Sequence, residues 1–134
     1  MPNIANLVLQ DGASTPVDKT FMVKTNDNRI SLFEERSGGV PIGYPTIRVQ
    51  TSDTKAVRKV TISIAIPTLE VPAPAANGFT PSTRVNRTHR SKHEFLLPQN
   101  GTEAERKDLL AFHLNVLGLA PIVAIVRDGD EYVG

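Results

Sequence analysis

QNGTEAERKDLLAFHL, residues 99–114, carries the strongest helix signal in the chain. Thr102 stands at an N-cap position, and Glu105, three residues on, completes the pattern of a capping box. Glu103 and Glu105 also place negative charge at the positive end of the helix dipole. At about 100° per residue, Leu109, Leu110, Phe112, Leu114, Val116 and Leu117 cover more than half of the circumference. Lys107, Asp108, Ala111 and Asn115 hold the narrower remaining side. A helix lying on one sheet needs only one apolar stripe. A helix over about 102–117 with this much apolar surface is expected to be buried from two sides. Gly118 suits its C′ position, and Pro121 suits the first position of a second helix over about 121–128. That second segment is too short to be stable unless it docks on something.

Upstream the pattern is that of strands, over about residues 4–97. IANLVLQDG ends in a turn at Asp11-Gly12, and DKTFMVKTNDN turns at Asn26–Asn28. RISLFEE puts Ile30, Leu32 and Glu34 on one side, Ser31 and Phe33 on the other. SGGVPIGYP is a Gly/Pro loop. TIRVQTS alternates, with Ile47 and Val49 one way and Thr46, Arg48 and Gln50 the other. VRKVTISIAIP aligns Val60, Ile62, Ile64 and Ile66 against Lys59, Thr61, Ser63 and Ala65. Pro67 is expected to end that strand, since proline cannot donate to a ladder. Residues 67–83 hold four prolines and one Asn-Gly and read as a long loop of the kind often found at a contact. RVNRTHRSKHEFLLP then returns to strand: His89, Ser91, His93, Phe95 and Leu97 share one side, Thr88, Arg90, Lys92, Glu94 and Leu96 the other. The spacing is that of half-buried antiparallel strands joined as hairpins.

Composition bounds the reading. The 134 residues fit one domain, 1–134, and 40% hydrophobic with 22% charged residues fits a folded protein. No apolar run is long enough to span a bilayer, and no signal-peptide pattern opens the chain. There is no cysteine, which excludes disulfides and thiolate metal sites. Net charge is +1, but it is unevenly spread. Residues 46–93 carry eight Lys/Arg against two Asp/Glu, whereas residues 94–134 carry three against seven. Such a basic centre fits a polyanionic partner, or a solvated surface.

Two C-terminal helices are too few to cover one apolar face of about six strands. The economical solution is a dimer in which two sheets join edge to edge and helices of each chain cross onto the other's sheet. That arrangement buries both sides of the long helix and leaves one continuous basic surface.

In this order and spacing, FEERSGGVP, TIRVQTS, KVTISIAIPT, HEFLLP and GTEAERKDLL followed by APIVAIV resemble the coat proteins of single-stranded RNA bacteriophages, the leviviruses. The resemblance spans nearly the whole chain and rests on order, since no one pattern is diagnostic. It implies an α+β fold: an N-terminal β-hairpin, a five-stranded antiparallel sheet and two C-terminal helices in an interlocked homodimer. It implies a structural capsid protein, not an enzyme, that builds an icosahedral shell around single-stranded RNA, located in the virion and assembled in the bacterial host cytoplasm. The inner sheet face would bind an RNA hairpin as packaging signal and translational repressor. By strand position, the RNA-binding residues would be Thr46, Arg48, Gln50, Lys59, Thr61, Ser63, Arg90, Lys92 and Glu94. The dimer interface would hold Leu109, Leu110, Phe112, Leu114, Val116 and Leu117. Val71 and Phe79 would sit in the inter-dimer loop, which in some members is disulfide-linked and here cannot be. Some members have lysine at the position of Ser63 and a base-stacking tyrosine at that of Arg90, whose guanidinium plane could stack instead.

Other readings are weaker. His89 and His93 are four apart, which ligates zinc on a helix but not on a strand without a third ligand. His113 falls within the apolar arc and reads as a hydrogen-bonded core or interface residue. Asn86-Arg87-Thr88 matches a glycosylation acceptor, with nothing to indicate secretion. No catalytic constellation, metal site, cofactor site, small-molecule site or membrane partner is expected. The runner-up functions are a non-assembling dimeric RNA-binding regulator and, last, a small hydrolase using His89 or His93 with Glu94.

Overall fold

The computed structural model describes residues 3–132. The chain divides into two compact units, Met1–Leu96 and Leu97–Gly134. The first is a sheet of six strands in chain order: β1 (Leu7–Gln10), β2 (Asp18–Asp27), β3 (Ile30–Glu34), β4 (Thr46–Asp53), β5 (Val57–Glu70) and β6 (Arg84–Pro98). The second holds α1 (Glu103–Leu117) and α2 (Ala120–Asp128), bent by 60° from each other.

The expected hairpin plus five-stranded sheet is one six-stranded meander because β2 is long enough to serve both. Its first half pairs with β1, Leu7 opposite Phe21, and its second half with β3, Val23 opposite Phe33. A bulge at Val23–Thr25 lies within the half that pairs with β3, and beside it the Asn6 side chain accepts a hydrogen bond from the Val23 amide at 3.0 Å. The turn into β3 falls at Asn28–Arg29, later than the expected Asn26–Asn28, with φ of 47° and 66°. Asparagine tolerates that left-handed region and arginine does so poorly. The Arg29 guanidinium meets Asp53 at 2.6 Å and its carbonyl accepts from the Thr51 amide at 3.1 Å, and both contacts hold the turn.

Alternation decides the faces. Ile47 lies opposite Phe33 on one side and Ile64 on the other, and Val49 opposite Ile62. Phe21, Phe33 and Ile47 are buried, with Leu7, Val23, Val49, Ile62 and Ile64 packed against them. The other face presents Leu32, Arg48 and Ser63 in one row and Ile30, Gln50 and Thr61 in the next.

Pro67 does not end β5, and the loop begins at residue 71. The ladder with β4 stops at Ala65, opposite Thr46, so the missing proline donor breaks no bond to β4. The extra strand residues carry Leu69, whose side chain lies where a Cβ on Gly43 would sit, 2.5 Å from Leu69 Cδ1. A side chain at 43 would have to displace Leu69, and glycine avoids that.

The capping box forms as expected. The Glu105 amide donates to Thr102 Oγ1 at 3.2 Å, and the Glu105 carboxylate accepts from the Thr102 amide at 3.2 Å and hydroxyl at 2.9 Å. The hydroxyl bond, then the amide bond, hold the Glu105 carboxyl below the usual carboxylate range. A depressed carboxylate stabilises the helix above its unfolded value and loses that contribution as pH falls through the folded one. Thr102→Ala is expected to cost about 1 kcal/mol at neutral pH, and less in acid, in urea titrations followed by circular dichroism. Gly118 is a right-handed C-cap (φ −89°), not a left-handed residue, because the chain enters α2 only two residues later. That helix starts at Ala120, so Pro121 is its second residue; its missing N–H is one that would be unpaired anyway.

Candidate nucleic-acid interface

The sheet face opposite the core gathers the polar residues marked in the sequence. On β4, Thr46, Arg48 and Gln50 point to it; on β5, Ser63 and Thr61 stand directly across from Arg48 and Gln50, and Lys59 across from Ser52. Arg48 Nη2 donates to Gln50 Oε1 at 3.2 Å, which turns the guanidinium along the strand. On β6, Glu94 meets Lys59 at 3.2 Å and Lys92 at 4.0 Å. These pairs bring the Arg90–Lys92–Glu94 side of β6 onto the same face as Lys59. A second pair, Arg84 with Glu70 at 2.6 Å, ties the other end of β6 to β5.

The nine residues are therefore not equivalent. Lys59 and Lys92 share the Glu94 carboxylate, so Glu94 steers two cations and does not itself suit a phosphate. Arg48 and Arg90 make no ion pair among the described residues. Their charge is available to a polyanion. Thr46, Gln50, Thr61 and Ser63 lie among them as short donors and acceptors.

The structure adds a charged group at the margin of this face that the sequence reading leaves out. Glu34, on the strand side shared with Ile30 and Leu32, is largely covered and holds Arg36 at 2.7 Å and Lys24 at 3.7 Å. The legible signal is the alternation Ile30–Leu32–Glu34, which places a carboxylate beside Thr46.

The hydrolase reading finds no support in the geometry. Glu94 faces Lys59 and Lys92, on the opposite side of β6 from His89 and His93. Among the described residues no three metal-donor side chains come together.

Away from this face, apolar surface is open. None of α1 is buried: Leu109, Leu110, Phe112, Leu114, Val116 and Leu117 are between 43% and 67% exposed. His113 is half-buried, whereas every other residue of α1 is exposed. On the core side of the sheet an open groove of about 380 Å³ is lined by Leu9, Phe21, Pro45, Ile47, Ile64 and Ile66, among others. In the 71–83 loop, Val71 and Phe79 are each 66% exposed. The loop tip is built by a turn in which the Gly78 amide bonds the Ala75 carbonyl at 2.9 Å and the Phe79 amide bonds Asn77 Oδ1 at 3.0 Å.

The family described as "Levivirus coat protein" matches residues 2–130. The chain belongs to that family. A levivirus coat protein is a structural component of a bacteriophage capsid, and its place is the virion. The fold agrees with solved structures. A virus-like particle of bacteriophage ESE058 is similar at 28% identity and a TM-score of 0.90, over 98% of this coat protein and 100% of that chain. A virus-like particle of bacteriophage NT-214 gives 29% and 0.88 over the same shares. The bacteriophage GA protein capsid, at 13% identity and 0.75 over 95% of each chain, shares the fold. Comparison with curated proteins finds no match.

Proposed function

We propose that this coat protein forms an interlocked dimer, that dimers close into an icosahedral shell around single-stranded RNA, and that the Arg48–Lys59–Arg90–Lys92 face binds that RNA. An RNA hairpin on the same face would act as packaging signal and repressor of translation, with assembly in the host cytoplasm. The observation that carries the dimer is the poverty of the core. Among the described residues of a 134-residue chain only Phe21, Phe33 and Ile47 are buried apolar residues, while the apolar arc of α1 stays in water. A chain of this length normally withdraws most of its apolar surface when it folds. Helices from a second copy, laid into the groove lined by Phe21, Ile47 and Ile64, supply the missing cover. The virus-like particles of the similar ESE058 and NT-214 proteins support closed-shell assembly.

The test is electron microscopy of the purified protein with its absorbance ratio at nucleic-acid and protein wavelengths. Shells with a nucleic-acid-rich ratio are expected. Free dimers that still bind RNA would favour a non-assembling regulator.

The loop gives a separate prediction. Shortening residues 71–83, or placing charge at Val71 or Phe79, is expected to leave dimers folded and to suppress closed shells. A surface loop tolerates length change at small thermodynamic cost, whereas contacts around a symmetry axis need a defined shape. Size-exclusion chromatography with microscopy reads both species, and shells of unchanged stability would remove the loop from the assembly contacts.

A further inference from the structure

Asparagine is followed by glycine twice in the chain, at Asn77-Gly78 in the 71–83 loop and at Asn100-Gly101 between β6 and α1. Such a step is prone to cyclise, because glycine has no side chain to shield its nitrogen. We propose that Asn77 is a site of spontaneous deamidation in the free protein, and that its conversion withdraws a dimer from shell assembly. The site stands on its own chemistry; the effect on assembly rests on the loop reading above.

The reaction needs only water. The Gly78 nitrogen gives up its proton to hydroxide and bonds to Asn77 Cγ. The Cγ–Nδ2 bond breaks, Nδ2 takes a proton from water, and ammonia leaves behind a five-membered imide. Water then opens the ring. Hydroxyl added at Cγ gives aspartate; hydroxyl added at the Asn77 main-chain carbonyl gives isoaspartate, with the chain running on through Cγ.

The loop tip presents the reacting groups. Asn77 Oδ1 accepts from the Phe79 amide at 3.0 Å, a turn that folds the carboxamide back over the following residues. That same N–H stabilises the negative charge that develops on Oδ1 as Cγ is attacked. Gly78 has a φ of +83°, and nothing lies within 4 Å of where a Cβ would stand. Its N–H is held by the Ala75 carbonyl at 2.9 Å, a single bond at an exposed tip, which local opening releases at small cost.

Asn100-Gly101 is the internal comparison. The Gly101 amide is also bonded to a carbonyl three residues back, that of Pro98 at 3.0 Å. Here the glycine is half-buried, its own carbonyl accepts from Arg106 Nη1 at 3.0 Å, and the next residue is the Thr102 cap of α1. Freeing that nitrogen requires the junction of β6 and α1 to open.

Conversion changes the loop sharply. Residues 71–83 carry no charged side chain. The ion pair at the loop's base, Glu70 with Arg84 at 2.6 Å, already uses the adjacent cation. A new carboxylate at 77 therefore enters an uncharged contact surface without a partner.

The experiment ages wild-type RNA-free dimers at mildly alkaline pH and maps their peptides by mass spectrometry, with isoaspartate read by enzymatic methylation. Asn77 is expected to convert several-fold faster than Asn100. Equal rates, or a faster Asn100, overturn the site. The half-converted sample is then assembled on RNA, and shells and leftover dimers are mapped separately. Converted Asn77 should be enriched several-fold in the leftover dimers, and Asn77→Asp should form few shells when freshly made. Preferential conversion of Asn77 with equal fractions in both pools keeps the site but overturns its effect on assembly, and with it the loop reading.

Discussion

Leu114→Asp is expected to remove the soluble dimer altogether, and Leu110→Asp to do the same. In the single chain Leu114 is 60% exposed, so an aspartate there would stay largely hydrated and cost little. A large loss can arise only if another chain covers the site. An unpaired carboxylate transferred into such an interface costs several kcal/mol, comparable to the whole stability of a small domain, about 5–15 kcal/mol. Two identical helices carry the change, so each dimer bears it twice. The control is Asn115→Asp on the narrow polar side of α1. It adds the same charge to the same helix without removing an apolar side chain and should leave the dimer intact; the lower helix propensity of aspartate relative to leucine accounts for about 0.5 kcal/mol at most. Soluble yield and mass by size exclusion with light scattering separate the cases. A folded, soluble Leu114→Asp monomer would count against the interlocked dimer, because it would show that the apolar arc of α1 needs no cover.

Much of this architecture is legible in the residues because one face of each strand is apolar and the period is two. Val49 and Ile62 declare a shared side before any pairing is known. Thr102 and Glu105 declare a helix start because a local bond between side chain and backbone needs nothing else. Sequence and structure part where local rules meet neighbours. Pro67 has the local chemistry of a stop, but whether a proline breaks a ladder depends on whether a partner strand is still there, and β4 has already ended. The turn falls at Asn28–Arg29 although arginine is a poor left-handed residue, because Asp53, twenty-four positions away, holds it. Gly43 has the look of ordinary loop composition, yet a side chain there would meet Leu69 on β5. The division of labour on the polar sheet face is invisible in the sequence for the same cause. The pairing of Glu94 with Lys59 depends on how β6 returns beside β5 after a long loop, which alternation within each strand does not specify. The pairing of Glu34 with Lys24 likewise depends on β2 lying beside β3 with Met22 opposite Glu34, a register that the residues of β3 alone do not specify.

Alanine substitutions on the sheet face should split into two classes. Phosphate contacts give affinity without sequence preference, and contacts to base edges give preference. Arg48→Ala, Lys59→Ala and Lys92→Ala are expected to weaken binding to every RNA. Each should flatten the dependence of log affinity on log salt by about one unit for every phosphate no longer neutralised. Arg48 should show the larger effect of the three, since Lys59 and Lys92 share the Glu94 carboxylate and part of their charge is already answered. Gln50→Ala, Thr61→Ala and Ser63→Ala remove uncharged donors and acceptors that stand in register around Arg48. Their expected effect is a loss of about 1–3 kcal/mol of preference for one hairpin, with nonspecific binding nearly unchanged. Arg90 discriminates two roles. Stacking of its planar guanidinium on an unpaired base predicts that Arg90→Lys keeps the salt slope but loses hairpin affinity, whereas a phosphate role predicts little change. The measurement is a salt titration of wild-type and variant dimers against a cognate hairpin, selected from random RNA by the protein itself, and a scrambled control. If all six alanine variants bind both RNAs as the wild type does, the RNA does not lie on this face.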